Sequence, residues 1–133
     1  MKLDSQLADR PVFVTGADGF VGSHLVDKLV EFDADIHAFV RATSSGELNN
    51  SRHHADQITI HKGDLRDAHS VKEALSAIKG SGDSLIMHLA AQAHVGESWN
   101  RPYETIDTNV TGTLNLLQAV VDLDLDIAKF DTA

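Results

Sequence analysis

The sequence contains no cysteine. Disulfides, thiolate nucleophiles and zinc–thiolate centres are therefore excluded, and stability has to come from packing. Long apolar runs are missing as well. No segment approaches the roughly 20 residues of a membrane-spanning helix, and Met1-Lys2-Leu3-Asp4-Ser5 leads into no signal-peptide core. The expectation is a cytoplasmic protein with no membrane partner. Positive charge is scarce: 11 Lys and Arg stand against 20 Asp and Glu, a formal charge of −9 at pH 7. That balance argues against nucleic acid and anionic membranes as partners and reads as the solvation of a soluble protein. Internal repeats and low-complexity tracts are absent. With 133 residues the chain is read as one domain, 1–133, large enough to bury a core but short for a complete two-substrate enzyme.

What is present is an alternation of short apolar runs with segments of helical period, the pattern of a parallel sheet with crossover helices. Strands are expected over 11–16, 35–41, 57–62 and 84–91, with a last one starting near 126. Helices are expected over 19–32, about 68–79 and about 102–124. The run Ser84-Leu85-Ile86-Met87-His88-Leu89-Ala90-Ala91 is almost continuously apolar, as a strand covered on both faces should be. Right-handed crossovers give an α/β, doubly wound, Rossmann-like fold with strand order 3-2-1-4-5, its ligand crevice over the carboxyl ends of strands 1 and 4. Ala42 to Asp56 reads as a surface loop. The sequence stops at Lys129-Phe130-Asp131-Thr132-Ala133, inside what reads as a fifth strand, and truncation is the expected explanation.

Thr15-Gly16-Ala17-Asp18-Gly19-Phe20-Val21-Gly22 joins the first strand to the first helix. Glycines at such a junction leave backbone N–H groups at the positive end of a helix, where the pyrophosphate of a dinucleotide can sit. Gly16 permits the tight turn, Gly19 the approach of backbone to phosphate, and Gly22 the close packing of helix on strand. The spacing G-x-x-G-x-x-G is one residue longer at its first gap than the common fingerprint, and the strand–helix context supports it. At the end of the second strand, where a free ribose would call for an acid, the sequence has Arg41 followed by Thr43, Ser44 and Ser45. A guanidinium with neighbouring hydroxyls suits a 2′-phosphate, so NADP is preferred over NAD.

Gly63-Asp64-Leu65 follows the third strand. Asp64 is read as accepting from the exocyclic amine of an adenine and Leu65 as covering the ring, with Asp67 or His69 closer to the start of the next helix. His88 is read as a hydrogen-bonded core histidine. Beyond it the small residues of Leu89-Ala90-Ala91-Gln92 let backbone pass near the cofactor's ribose and nicotinamide, while His94 and Ser98 face substrate. Asn109 sits in a helix whose other apolar positions are Val110, Leu114, Leu117 and Val121, so it needs a partner and ties the preceding loop in place; Thr108 reaches the cofactor. His53, His54, Asp56 and His61 present no convergent set, and no metal site is expected.

The ordered set TGADGFVG, GDLRD, HLAAQAHVGES, RP and NVTGTLNLLQA resembles the extended short-chain dehydrogenase/reductase family, specifically its nucleotide-sugar 4,6-dehydratases and 4-epimerases, from about residue 11 to the end. The segment around Arg41 is most similar to GDP-mannose 4,6-dehydratases, which use NADP. The resemblance implies cofactor contacts at Gly16, Gly19, Gly22, Asp64, Leu65, Leu89, Ala90, Ala91 and Thr108; Ala17, Phe20, Val21, Arg41 and Gln92 are expected to contact the cofactor beside them. The resemblance further implies hydride transfer at the sugar's C4 and a nucleotide-sugar substrate; a homo-oligomer is expected separately, from apolar surface of the fourth strand and the long helix that the elements absent here would cover. The family's Tyr-x-x-x-Lys pair lies beyond the last residue of this chain, and Tyr103 has no lysine four positions later. No catalytic residue is therefore expected among these 133, and a non-catalytic dinucleotide-binding or interaction module remains the alternative to the enzyme.

Overall fold

A computed structural model describes residues 4–42 and 56–133. The chain order is α1 (Asp4–Leu7), β1 (Pro11–Thr15), α2 (Phe20–Glu31), β2 (Asp35–Arg41), β3 (Ile58–Gly63), α3 (Ala68–Leu75), β4 (Ser84–His88), α4 (Val95–Asn100), α5 (Pro102–Ile106), α6 (Gly112–Asp122) and β5 (Ile127–Thr132). The five strands form one parallel sheet in the order β3-β2-β1-β4-β5, as the alternation of strand and helix segments requires.

Side chains alternate between the two faces of the sheet, and each face has its own core. Val12, Val14, Ile36, Ala38 and Val40 point to the side that α2 covers with Val26 and Leu29. Phe13, Phe39 and Ile86 point to the other, where α3 and α6 bring Val71, Leu75 and Leu116. All five residues of β1 are buried. This central strand therefore fixes the position of the turn that follows it.

Two helix-to-strand turns repeat one device. After α2, Asp33 N–H bonds to Val30 O and Ala34 N–H to Leu29 O; after α6, Asp124 N–H bonds to Val121 O and Leu125 N–H to Val120 O. Both aspartates adopt a left-handed conformation (φ 55° and 51°), which closes the last helical turn and sends the chain back into the sheet. Asp tolerates this conformation better than most residues because its short side chain bonds locally.

The structure corrects several expected boundaries. The strand expected over 84–91 ends at His88, because the next two N–H groups bond to a side chain of β1 rather than to a neighbouring strand. The helix expected over 102–124 holds a π-helical segment at Asp107–Thr111 between α5 and α6. The segment over 68–79 tightens into a 3₁₀ turn at Ser76–Ile78. The short helices α1 and α4 lie in segments with no helical expectation. Val110, Leu114, Leu117 and Val121 face outward and are exposed; the buried face of α6 is Gly112, Leu116 and Ala119. Thr43, Ser44, Ser45, His53 and His54 lie outside the described residues.

Candidate functional site

The carboxyl ends of β1, β2, β3 and β4 open onto a cleft of about 300 Å³, at the small end of the range for ligand pockets. It lies where strand order reverses about β1, with crossovers leaving in opposite directions towards β2 and β4. Gly16 and Gly19 form one wall, Arg41, Gly63, Asp64 and Leu65 a second, and Leu89, Ala90, Ala91, Gln92 and Thr108 a third. Ten of the sequence-predicted contact residues thus meet in one cleft.

The glycine turn is built by contact distances. Gly16 has φ +67°, and a Cβ there would lie 2.9 Å from Ala90 N. At Gly22 a Cβ would lie 2.0 Å from Gly16 O, so helix and turn can touch only because that side chain is missing. Gly19 caps α2 without a side-chain hydrogen bond. The first-turn N–H groups, which no helix can satisfy internally, are therefore not claimed by a capping side chain. Ala17 is fully buried under the turn, whereas Phe20 and Val21 are 79% and 64% exposed on the first turn of α2. Ala17, Phe20, Val21 and Gly22 are not among the residues that line the cleft.

A buried chain of hydrogen bonds joins the turn to the opposite wall. Leu89 N–H and Ala90 N–H both donate to Thr15 Oγ1 at 3.1 Å, which uses the hydroxyl's two acceptor positions. The Thr15 hydroxyl therefore donates to His88 Nδ1, 2.7 Å away. His88 carries its proton on Nε2 and donates it to Thr113 Oγ1 at 2.8 Å, and Thr113 donates in turn to Asn109 O at 2.8 Å. Asn109 completes the tie: its Oδ1 accepts from Gln92 N–H at 2.7 Å and its Nδ2 donates to Gln92 O at 3.2 Å. Burial lowers the His88 pKa, which suits a ring whose Nδ1 must remain an acceptor. His88 is thus a core histidine, and Asn109 holds the loop after β4.

On the second wall, the Asp64 carboxylate receives the Arg66 guanidinium at 2.7 Å from Oδ2, and the Arg66 backbone N–H at 2.9 Å from Oδ1. Hydrogen bonds from the Arg66 side chain hold the Asp64 pKa below the usual carboxylate value. Asp67 caps α3 by accepting from His69 N–H at 3.0 Å. Asn115 Nδ2 donates to Leu65 O at 2.7 Å and fixes the residue that would cover a ring. Arg66 and Asn115 were missed as site residues; the GDLRD run could have raised Arg66, but the Asn115 contact spans 50 positions. Phe39 and Val40 also line the cleft and were not anticipated.

Thr108 lies within the π-helical segment, 6% exposed, and among the described residues its Oγ1 is the buried side-chain polar atom left without a hydrogen-bond partner. A buried hydroxyl in that state costs free energy until something reaches it. His94 and Ser98 are not cleft-lining. His94 is exposed ahead of α4, and Ser98 Oγ donates to Val95 O at 2.6 Å.

A doubly wound α/β sheet with a glycine turn into a helix at the switch point defines the chain as a protein of the dinucleotide-binding Rossmann class. Residues 13–133 match the family model of GDP-mannose 4,6 dehydratase, and the chain belongs to that family. A GDP-mannose 4,6-dehydratase of Sordaria araneosa is 38% identical over 124 residues, which cover 93% of this chain and 22% of the relative. Among solved structures, UDP-glucose 4-epimerase from Thermotoga maritima with UDP-glucose is 30% identical with a TM-score of 0.76, covering 92% of this chain and 37% of that one. The UDP-glucose 4-epimerase of Thermus thermophilus in complex with NAD is also 30% identical, with a TM-score of 0.73 and coverage of 86% and 35%. The chain thus spans roughly a fifth to two fifths of the length of these proteins. Among the described residues no helix is long and apolar enough to cross a membrane.

Proposed function

We propose that this chain is the cofactor-binding part of an NADP-dependent nucleotide-sugar 4,6-dehydratase or 4-epimerase. The observation that carries the reading is the cleft itself: a glycine cradle whose space a Cβ would fill, backed by a helix end without a side-chain cap and faced by the unpartnered Thr108 hydroxyl. Those features support a dinucleotide as the ligand. The backbone of the Gly16–Gly22 turn receives the pyrophosphate. Asp64 accepts from the adenine amine while Leu65, held by Asn115, covers the ring. Arg41, exposed at the end of β2, pairs with the 2′-phosphate of NADP. Leu89, Ala90, Ala91 and Gln92 line the nicotinamide side, the two alanines leaving the backbone open to approach, and Thr108 supplies a hydrogen bond there. The bound nicotinamide supplies a hydride acceptor for the sugar's C4.

The reading extends to assembly. Tyr103, Ile106, Val110, Leu114, Leu117 and Val121, spaced three or four apart from α5 through the π-helical segment into α6, are between 45% and 90% exposed. An apolar stripe of that length and period is the face by which helices of two subunits pack, and we assign it to a homo-oligomer.

The test is calorimetric titration with NADP and NAD. A Cβ at Gly19 would meet only Gly16 O, at 3.2 Å, so Gly19→Val keeps the fold but narrows the phosphate site, and binding should be lost. Arg41→Ala should weaken NADP about tenfold or more, the size of a charge-assisted hydrogen bond, and leave NAD nearly unchanged. Unchanged affinity in Gly19→Val would refute the pyrophosphate site, and equal losses for both cofactors in Arg41→Ala would refute the NADP preference.

A further inference from the structure

We infer that Arg66 is a positioning residue that gives the cleft its selectivity for adenine, by orienting the Asp64 carboxylate; the inference rests on the dinucleotide reading above. Asp64 Oδ1 accepts from the Arg66 backbone N–H at 2.9 Å and from Nε at 3.0 Å, which fills that oxygen's two acceptor positions. Oδ2 accepts from the guanidinium at 2.7 Å, with a longer 3.2 Å approach from Nε. One acceptor position of Oδ2 is left, and the planar fork of the guanidinium fixes its direction. An ionised carboxylate oxygen can only accept. The position therefore rewards an exocyclic amine and repels a carbonyl oxygen in the same place.

The loop does not need Arg66 to keep its shape. Asp64 N–H bonds to Ser70 Oγ at 3.0 Å, Asp67 N–H to Asp64 O at 2.9 Å, Ala42 N–H to Gly63 O at 2.9 Å and Asn115 to Leu65 O at 2.7 Å. Both side chains of the ion pair are 40% exposed, and pairs so open to water contribute little to stability. What the guanidinium adds is direction. Without it, Asp64 keeps the backbone contact to Oδ1 and the nearby charge of Arg41, and no bidentate fork fixes the direction of Oδ2. The charges of Glu104 on α5 and Asp107 in the π-helical segment favour the charged guanidinium.

The experiment compares NAD with its hypoxanthine analogue, in which a carbonyl oxygen replaces the amine of the base. The wild-type protein should bind NAD about tenfold or more tightly than the analogue, the size of one charge-assisted hydrogen bond. In Arg66→Ala that ratio should fall at least about threefold, the backbone contact to Oδ1 retaining the rest. A smaller change overturns the inference, because a merely structural loss weakens both dinucleotides alike and leaves the ratio alone. Arg66→Lys provides the same readout with the charge kept: a single ammonium cannot grip both oxygens, so the ratio should again fall, and full retention also overturns the claim. Wild-type protein that binds both dinucleotides equally removes the adenine contact from Asp64 and the inference with it. Failure to bind NADP as well as both of these dinucleotides refutes the underlying reading instead.

Discussion

Replacing Thr15 with valine removes one oxygen and almost no volume, which makes it a direct probe of the hydrogen-bond chain between the glycine turn and the loop after β4. Three groups lose their partner: the N–H groups of Leu89 and Ala90, and Nδ1 of His88. An orphaned buried polar group costs roughly 1–3 kcal/mol, and the lower figure applies because Leu89 and Ala90 border an open cleft. Three groups at about 1 kcal/mol each, less about 0.8 kcal/mol for the added buried methyl, leave a net loss of about 2 kcal/mol. For a domain of this size that corresponds to about 6–10 °C in melting temperature. Thr15→Ser keeps the hydroxyl and loses only a methyl, so it should cost about 1 kcal/mol. Urea denaturation of the three proteins measures the differences. A valine variant as stable as wild type, or more stable than the serine variant, would refute the chain of donors and acceptors and with it the assigned His88 tautomer.

Acid should destabilise the protein before its carboxylates titrate. Burial lowers the pKa of both His88 and His61 below 6.5, and proximity to His37 lowers His61 further. The unfolded chain then takes up protons near pH 6.5 while the folded chain does not, so stability falls as pH drops through 6.5 and continues to fall until the folded histidines titrate. Denaturation midpoints between pH 7.5 and 5.5 should show the decline, with a shallower slope in His88→Gln; a flat profile over that range would contradict the burial argument. Sedimentation of the wild-type protein should show a dimer or higher oligomer, and charge placed on the exposed stripe in Leu117→Glu should return it to monomer. A wild-type monomer at high concentration would remove the stripe from the assembly.

What was legible in the sequence was whatever a short segment encodes by itself. The apolar strand followed by glycines and a helix announced the turn, Asp67 stood where a helix needs a cap, and His88 inside an apolar run had to find buried partners. The parallel order followed from alternation and handedness. Features decided by distant residues were hidden. The strand after Ser84 stops at His88 because Thr15, 74 and 75 positions away from Leu89 and Ala90, captures their N–H groups. α6 carries apolar residues on two faces, and only packing chooses Leu116 and Ala119 as the inner ones. The π-helical segment that turns Thr108 into the cleft has no composition of its own. Arg66 drew no reading at all, because nothing in the GDLRD run says which way its guanidinium turns; the fold lays it against the Asp64 carboxylate.

The central claim is that the cleft between the glycine turn and the walls from β2, β3 and β4 holds a nicotinamide adenine dinucleotide. Amide chemical shifts of the isotopically labelled protein, followed during titration with NADP, test it residue by residue. The account predicts saturable shifts concentrated at Gly16–Gly22, Arg41, Asp64–Leu65, Leu89–Gln92 and Thr108, with little change along the outer faces of α3 and α6. Absence of shifts at millimolar NADP, or shifts clustered away from those segments, would contradict it.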